Sequence, residues 1–325
     1  MGRGRTVLDR QWPGGFRTTP MMDVDFLRSV ESAYREVQDE QIAALRAFDA
    51  EVNLTRDAWD RPGGGGGDTR ILAEGAIIEK GGLNFSAVEG EVNAALAQQL
   101  KTKATRFAAT GVSSVLHPCN PHVPIIHMNV RYFTLDDGTW WFGGGIDLTP
   151  HYVIPAEARA FHEDLQAVCD RHEVADYPAF KAWADRYFYS PHRGESRGVG
   201  GIFFDHMGRE GDAHREAALA FCVDLSSQYA AIYRRRAEPF THQFVYAEDV
   251  AWQGLRRGRY VEFNLVHDRG TRFGLVSGGR TESILMSLPP RADWTYDHQP
   301  PEGSRQAETL AWLRKGTEGV DWLSA

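Results

Sequence analysis

The segment 127–133, HMNVRYF, constrains the fold more tightly than any other part of the chain, because polar and apolar residues alternate from His127 to Tyr132 without a break. Strict alternation predicts a β-strand that is buried on one face only. The apolar face carries Met128, Val130 and Tyr132. The polar face carries His127, Asn129 and Arg131. A histidine that exchanges protons near neutral pH, an amide and a guanidinium on one face are suited to an anionic ligand.

The residues around this strand predict an antiparallel sheet with helices. Asp136-Asp137-Gly138 is typical of a tight turn, and Trp140-Trp141-Phe142 after it predicts a partner strand. Further strands are expected within 70–90, as a hairpin turning at 80–82, and at 258–267, 272–277 and 283–288. The prolines of 112–126 predict an irregular or edge strand. Apolar periodicity predicts helices at about 23–50, 92–107, 156–172, 178–188, 213–236 and 304–315. Because helices flank hairpins, we expect an α+β fold around a mostly antiparallel sheet.

Two glycine runs stand out. No Lys-Ser or Lys-Thr follows the five glycines at 63–67, so the phosphate-binding Walker pattern is absent. We expect a flexible loop there, because the interior of a helix or strand tolerates glycine only at a cost. The second run, 143–145, leaves two alternatives open: a β-bulge, or a place where a flat ligand lies against the backbone.

Charge and cysteine content narrow the function classes. The chain has 36 Lys and Arg against 44 Asp and Glu, a net charge of −8, so a nucleic-acid binder is not expected. Three scattered cysteines without a CxxC motif predict neither a zinc ribbon nor a disulfide framework, and free thiols favour a cytoplasmic location. No segment approaches the roughly 20 apolar residues of a membrane span, so no stable membrane insertion is expected. We expect a flexible segment over 1–20 and a single domain over 21–325.

Arginine stands beside glycine in three loops, around Arg193, Arg269 and Arg280. On an acidic protein this pattern suggests a site that collects carboxylates. His162 and Asp164 have the spacing of a non-haem iron site, but residues two apart on a helix point about 200° away from each other. We therefore do not expect these two side chains to hold one ion together.

Six long strings in this order resemble the oxygen-dependent coproporphyrinogen III oxidase family. They are RPGGGGG (61–67), GVSSVLHPCNPHVPIIHMNVRYF (111–133), WWFGGGIDLTPHY (140–152), YFYSPHRGESRGVGGIFFDH (187–206), RRGRYVEFNLVHDRGTRFGL (256–275) and SGGRTESILMSLPP (277–290). They extend over nearly the whole chain from about Met22. Cys119, Met128 and His206 differ from the residue types common in the family at those positions.

The resemblance implies a fold and an activity. The expected fold is a large, flat antiparallel β-sheet covered by α-helices on both faces, in a homodimer that pairs through about Tyr260–Thr295. The expected reaction is the oxidative decarboxylation of two propionate groups of coproporphyrinogen III to vinyl groups, with O₂ as co-substrate. The products would be protoporphyrinogen IX, CO₂ and H₂O₂. Because the substrate supplies the electrons, no cofactor is strictly required.

The resemblance also implies roles for particular residues. His127 corresponds to the proton donor, and the substrate contacts correspond to Ser113, Asn129, Val130, Arg131, Gly278, Gly279 and Arg280. To these the arginine–glycine pattern adds Arg269. The family's metal ligands correspond to His117, His127, His162 and His192, which could equally carry protons, so a divalent metal ion is left open. We expect Asp147 and Asp268 to accept hydrogen bonds from the pyrrole N–H groups.

One function of another class uses the same residues. A non-catalytic carrier of a tetrapyrrole or a metal would keep the arginines and glycines but would not turn over. Intact His127, Asp147 and Asp268 favour the enzyme.

Overall fold

The computed structural model describes residues 22–209, 211, 213–276 and 279–325, so the segment expected to be flexible, 1–20, lies outside the described residues. Its strands are β1 Asn53–Asp60, β2 Gly65–Ala73, β3 Ile78–Glu91, β4 Arg106–Pro118, β5 Ile125–Leu135, β6 Trp140–Thr149, β7 Tyr189–Ser190, β8 Glu195–Ser196 and β9 Gly201–Met207. Seven of them form one antiparallel sheet in the order β1-β2-β3-β4-β5-β6-β9, and β7 pairs with β8.

Ten α-helices occur in the described residues. They are α1 Val24–Phe48, α2 Ala94–Leu100, α3 Pro155–Cys169, α4 Tyr177–Tyr187, α5 Arg215–Ser227, α6 Tyr229–Ala237, α7 Ala247–Val266, α8 Arg269–Val276, α9 Thr281–Leu285 and α10 Arg305–Leu313. None of the described helices is both long enough and apolar enough to cross a membrane.

The main core lies between one face of the sheet and helices α1, α3, α5 and α6. Met128, Val130 and Tyr132 of β5 are fully buried in it, as the alternating pattern predicts. The Ser114 hydroxyl donates to the Tyr229 hydroxyl at 2.9 Å and ties β4 to α6. This face is therefore a conventional apolar core, and it leaves the polar side chains of β5 on the other face.

The polar face is covered in part by α7, α8 and α9. Tyr260 of α7 packs on Val115 and Ile125, and the Ser283 and Thr69 hydroxyls lie 2.9 Å apart. Helices thus lie on both faces of an antiparallel sheet, and the expected α+β architecture is confirmed.

The strands expected at 258–267, 272–277 and 283–288 are wrong, because these residues lie mostly in α7, α8 and α9. The buried residues of α7 include Trp252, Leu255, Tyr260 and Phe263. Those positions recur at helical rather than alternating spacing, so tertiary packing on more than one side of α7 overrides the local β-forming residues of this segment.

The glycine and proline segments also differ from expectation. Gly65, Gly66 and Gly67 belong to β2 instead of a flexible loop, and a Cβ atom on Gly67 would lie 2.3 Å from the Trp59 ring. Close cross-strand packing thus explains that glycine. The hairpin between β2 and β3 turns before Ile78, so 80–82 lies inside a strand.

Strand β4 is central, not irregular or at an edge, because its prolines other than Pro118 follow its end. The helix expected at 92–107 is only α2, since β4 already begins at Arg106.

Candidate active site

The face of β4, β5 and β6 that lies opposite the main core forms a half-buried polar floor with little side-chain bulk. Strand β5 contributes His127, Asn129 and Arg131. Opposite them in register stand Asp147, Gly145 and Gly143 of β6 and Val115, Ser113 and Gly111 of β4. Because glycine has no side chain, bare backbone lies beside the Asn129 amide and the Arg131 guanidinium. Gly143 and Gly145 are themselves buried, and the Arg131 and Asp205 side chains lie over Gly143. A register irregularity between Phe142 and Gly144 agrees with the β-bulge alternative for 143–145, and the flat-ligand alternative stays a prediction.

Aromatic side chains bound the floor at both ends of the strands. At one end the Phe133 and Trp141 rings stack with their centroids 4.4 Å apart. At the other end Tyr260 packs edge-on against His117, with ring centroids 5.2 Å apart. The polar floor therefore lies between two aromatic clusters. This composition suits a large flat ligand that carries charged substituents.

A hydrogen bond to the buried carboxylate of Asp147 orients the His127 ring. Its Nδ1 lies 2.8 Å from Asp147 Oδ1, and Arg197 Nη2 donates to Asp147 Oδ2 at 2.6 Å. The Asp147 and Arg197 side chains are each 3% exposed, whereas the His127 side chain is 27% exposed. With Nδ1–H donating to Asp147, the Nε2 atom of His127 is left for a proton transfer on the open face.

Burial alone would raise the pKa of Asp147, but the Arg197 charge and the His127 hydrogen bond outweigh it, so this pKa is lowered. Burial opposes the charge of Arg197, yet the Asp147 carboxylate overcomes that effect and raises the pKa of Arg197. Both groups are therefore ionised. The Arg197 guanidinium also lies over the rings of Phe188, Tyr260 and Phe263, at 4.3–4.8 Å from their centroids.

The position of Asp147 thus does not fit the predicted role of this residue as an acceptor for ligand N–H groups. It is buried and both of its oxygens already accept hydrogen bonds, so its contact is with His127. The Val130 side chain lies in the core on the opposite face and is 0% exposed. Neither side chain reaches the open floor.

Arg131 pairs with Asp205 of β9, with Nη2 and Oδ2 2.9 Å apart. This pair depends on Gly143, because a Cβ atom there would lie 2.6 Å from Asp205 Oδ1 and 2.8 Å from Arg131 Nη2. The Arg131 side chain is 37% exposed and stays accessible from the floor. A carboxylate from a ligand can therefore reach this guanidinium.

The two other segments expected in the site, Asp268-Arg269 and Gly279-Arg280, lie at opposite edges of the sheet. The Tyr187 hydroxyl donates to Asp268 Oδ1 at 2.8 Å, and the Tyr187 ring stacks on Phe203 of β9. Asp268 Oδ2 accepts from the Thr271 amide at 2.7 Å, which caps α8, and the exposed Arg269 follows it. Both oxygens of Asp268, like those of Asp147, thus have partners within the chain.

At the β1 edge, Arg280 pairs with Asp57 and lies 6.0 Å from the Trp59 ring centroid. Gly279 precedes it, and Gly278 lies outside the described residues. The structure therefore anchors α8 above β9 and α9 above β1 and β2, on either side of the polar floor.

The four histidines expected as metal ligands do not come together. Within the described ranges no group of three or more His, Cys, Asp or Glu side chains could hold a metal ion. His117 Nε2 donates to the Ser287 carbonyl at 2.8 Å, and burial lowers the His117 pKa to about 3. His192 lies 2.8 Å from His267 and 3.0 Å from Glu262.

His162 lies in the core layer of α3, where the Val199 carbonyl and the Tyr177 hydroxyl occupy its two nitrogens. Burial lowers the His162 pKa to about 4, so the ring is neutral. Asp164 on the same helix pairs with Arg235 outside the core, so its side chain points away from His162, as the helical geometry predicts. These residues do not fit a shared four-histidine metal centre.

Three partners in this site have no clear local signal in the sequence. Arg197 lies in a glycine-rich loop, Asp205 lies at the end of an apolar run, and Tyr187 lies in a helix. Each becomes functional through a contact distant in sequence, to Asp147, Arg131 and Asp268 respectively.

Comparisons with known proteins agree with this geometry. The family profile described as coproporphyrinogen III oxidase matches residues 29–322. A Glycine max protein named oxygen-dependent coproporphyrinogen-III oxidase, chloroplastic, is 46% identical over 301 residues, which cover 86% of this chain and 76% of the relative. Proteins named oxygen-dependent coproporphyrinogen-III oxidase, mitochondrial, from Rattus norvegicus and Mus musculus are 42% and 44% identical over 313 residues, covering 92% of this chain and 69% of each relative.

Proposed function

The chain belongs to the coproporphyrinogen III oxidase family, and we infer that it oxidatively decarboxylates two propionate groups of coproporphyrinogen III to vinyl groups with O₂ as co-substrate. The product is protoporphyrinogen IX, an intermediate of haem synthesis. The observation that carries this function in the structure is the polar floor. There His127 contacts the buried carboxylate of Asp147, and Arg131 lies on the same strand face, opposite the glycines of β6.

The proposed binding mode follows from charge and shape. The substrate is a macrocycle with four propionates, so it needs an open surface and several cations around it. Arg131 lies in the floor, with Arg269 on the β9 side and Arg280 on the β1 side. Guanidinium groups hold carboxylates by paired charge-assisted hydrogen bonds. Ser113 and Asn129 would line the ring between these arginines.

The chemistry of one propionate fixes what the site must supply. The bond to the carboxylate breaks and releases CO₂, one β-hydrogen is lost, and a vinyl group forms. Two electrons pass to O₂, which becomes H₂O₂ by taking the β-hydrogen and one further proton. Each decarboxylation therefore consumes one proton that the protein or solvent must deliver.

We assign that proton to His127 Nε2. The Asp147 carboxylate under Nδ1 stabilises the doubly protonated ring, and Arg197 keeps that carboxylate ionised. Asp268 stands at the edge of the floor, where it fixes the start of α8 and accepts from Tyr187. We propose that Asp268 positions Arg269 for a propionate and also presents its charge to the pyrrole N–H groups.

No step of this route uses a metal ion or an organic cofactor, because the substrate itself supplies the electrons. We therefore expect O₂ to be the only co-substrate. Turnover should stop under nitrogen and persist after exhaustive chelation. A metal-free protein that is inactive until one divalent ion is added would contradict this part of the proposal.

The competing function is a tetrapyrrole carrier that binds on the same floor without turnover. Purified protein is incubated with coproporphyrinogen III in air, and the products are oxidised and separated as porphyrins. We expect protoporphyrin, with two CO₂ and two H₂O₂ released per macrocycle before the products are oxidised. Stoichiometric binding of the substrate without any protoporphyrin would show a carrier instead.

We also propose a homodimer through about Tyr260–Thr295. Large apolar side chains are exposed in this stretch, among them Leu265 at 45%, Val266 at 52% and Trp294 at 54%, and such side chains often mark an interface. Sedimentation should give twice the chain mass of 36.4 kDa, and Val266→Asp should lower it. A wild-type monomer at micromolar concentration would contradict the dimer.

A cytoplasmic location is a further proposal, supported by three cysteines that are all free of disulfides. The names of the relatives place those proteins in chloroplasts or mitochondria. Fractionation of the source cells tests the location directly: recovery of the protein in an organelle fraction would contradict it.

A further inference from the structure

A second concave site lies on the side of α7 that faces away from the polar floor. Trp252, Leu255, Arg256 and Arg259 recur at three- and four-residue spacing on α7, so they share one face. They line a cavity of about 190 Å³ together with β8 and the loop before it, residues 297–299 and α10. By contrast Gln253, Arg257 and Tyr260 of the same helix point to the sheet side.

The walls of this cavity carry more positive than negative charge. Four arginines line it: Arg193, Arg256, Arg259 and Arg314. Three of them share the buried carboxylate of Glu195, at 2.6 Å for Arg256 Nη1, 4.0 Å for Arg259 Nε and 3.7 Å for Arg314 Nε. One carboxylate cannot neutralise three guanidinium groups.

The remaining carboxylates do not remove this excess. Glu262 accepts two hydrogen bonds from Arg193 and also pairs with Arg259. Asp297 also lines the cavity but is exposed to water. Four arginines thus face two carboxylates that are largely withdrawn from solvent. Burial and then the charge of Arg193 lower the pKa of Arg259, in keeping with repulsion among these cations.

An unpartnered buried donor points to what the cavity lacks. Arg256 is 3% exposed, and neither its Nε nor its Nη2 donates to any described residue. Buried guanidinium groups without an acceptor are costly, and a bound anion removes that cost. Trp252, Leu255 and Leu310 form an apolar wall, which strengthens the attraction for an anion by excluding water.

We propose that this cavity binds a small oxyanion, of the size and charge of inorganic phosphate, through Arg256, Arg259 and Arg314. The planar guanidinium fork matches the oxygen spacing of such anions. The cavity is too small for a tetrapyrrole, so this site is separate from the proposed substrate floor. Its occupancy does not depend on the proposed oxidase activity.

The test is calorimetric titration of the full-length protein with inorganic phosphate, with chloride at matched ionic strength as the blank. We expect saturable binding with one site per chain. Arg314→Gln and Arg259→Gln should each weaken it about tenfold, the effect of one charge-assisted hydrogen bond. Arg314 is half exposed, so its replacement avoids the folding risk of changing buried Arg256.

Two control variants separate this cavity from other arginines. Arg235→Gln removes the same charge at a surface pair with Asp164, and Arg131→Gln removes it from the polar floor. Both should bind phosphate as the wild type does. The proposal is overturned if phosphate does not bind saturably, if binding survives both cavity substitutions unchanged, or if Arg131→Gln abolishes it.

Discussion

Replacing Asp147 by Asn should separate the buried ion pair from the chemistry it supports. The substitution keeps the volume of the side chain but removes the only charge that faces Arg197 at hydrogen-bond distance among the described residues, with Nη2 2.6 Å from Oδ2. Both side chains are 3% exposed, so solvent cannot replace the lost carboxylate. Leaving one partner of a buried pair uncompensated costs about 3–5 kcal/mol. That loss is a large part of the stability of an ordinary domain.

The assay is urea unfolding followed by circular dichroism, at low temperature so that the variant stays folded in buffer. Asp68→Asn is the matched control, because Asp68 is equally buried but one of its partners, Arg56, is 64% exposed. We expect a clearly smaller loss for the control. Adding Arg197→Met to Asp147→Asn should recover part of the stability, since the two residues are coupled.

The same variant should lose activity for a second reason. An amide cannot stabilise the protonated imidazole of His127 as a carboxylate does, so kcat should fall by about 10²-fold or more. An Asp147→Asn protein within about 1 kcal/mol of wild-type stability, with unchanged kcat, would refute both the role of the pair and the role of His127.

Three further predictions follow from single features. Burial lowers the pKa of His117 and His162 to about 3 and 4, so between about pH 4 and pH 6.5 these rings bind protons in the unfolded chain but not in the folded one. The unfolding free energy should therefore decrease as the pH is lowered through that window, by up to about 1.4 kcal/mol per pH unit for each histidine. His162→Asn should reduce this slope, and an unchanged slope contradicts the assignment. Gly143→Ala should disrupt the Arg131–Asp205 pair and raise KM; an unchanged KM would show that the pair is not needed. Turnover after exhaustive chelation should stay close to that of untreated protein.

The sequence predicts the floor of this site well because its signal is local. Alternation in 127–133 is a property of one strand, and the structure places His127, Asn129 and Arg131 on one face as expected. The turn at Asp136-Asp137-Gly138 needs only adjacent residues, and the partner strand follows it.

The rest depends on contacts that local patterns do not contain. Gly67 fits its strand because the Trp59 ring packs across it, and α7 is helical in a segment where Tyr260 packs on Val115 and Ile125 of the sheet and Phe263 packs on Ala184 and Phe188. Arg197 looks like any loop arginine until Asp147, fifty positions away, is placed against it. Charge burial of this kind is a tertiary property, so the sequence alone predicts a ligand contact for Asp147 and not the contact with Arg197.

The most direct test of the central claim compares two arginines that have similar surroundings. Arg131 pairs with Asp205 on the polar floor, and Arg171 pairs with Asp224 on the helical layer, at 37% and 48% side-chain exposure. Steady-state kinetics with coproporphyrinogen III are measured for Arg131→Gln and Arg171→Gln. If the floor binds the propionates, kcat/KM falls by about 30-fold or more for Arg131→Gln, equal to roughly 2 kcal/mol, and stays at the wild-type value for Arg171→Gln. Equal values for the two variants would show that the substrate binds elsewhere.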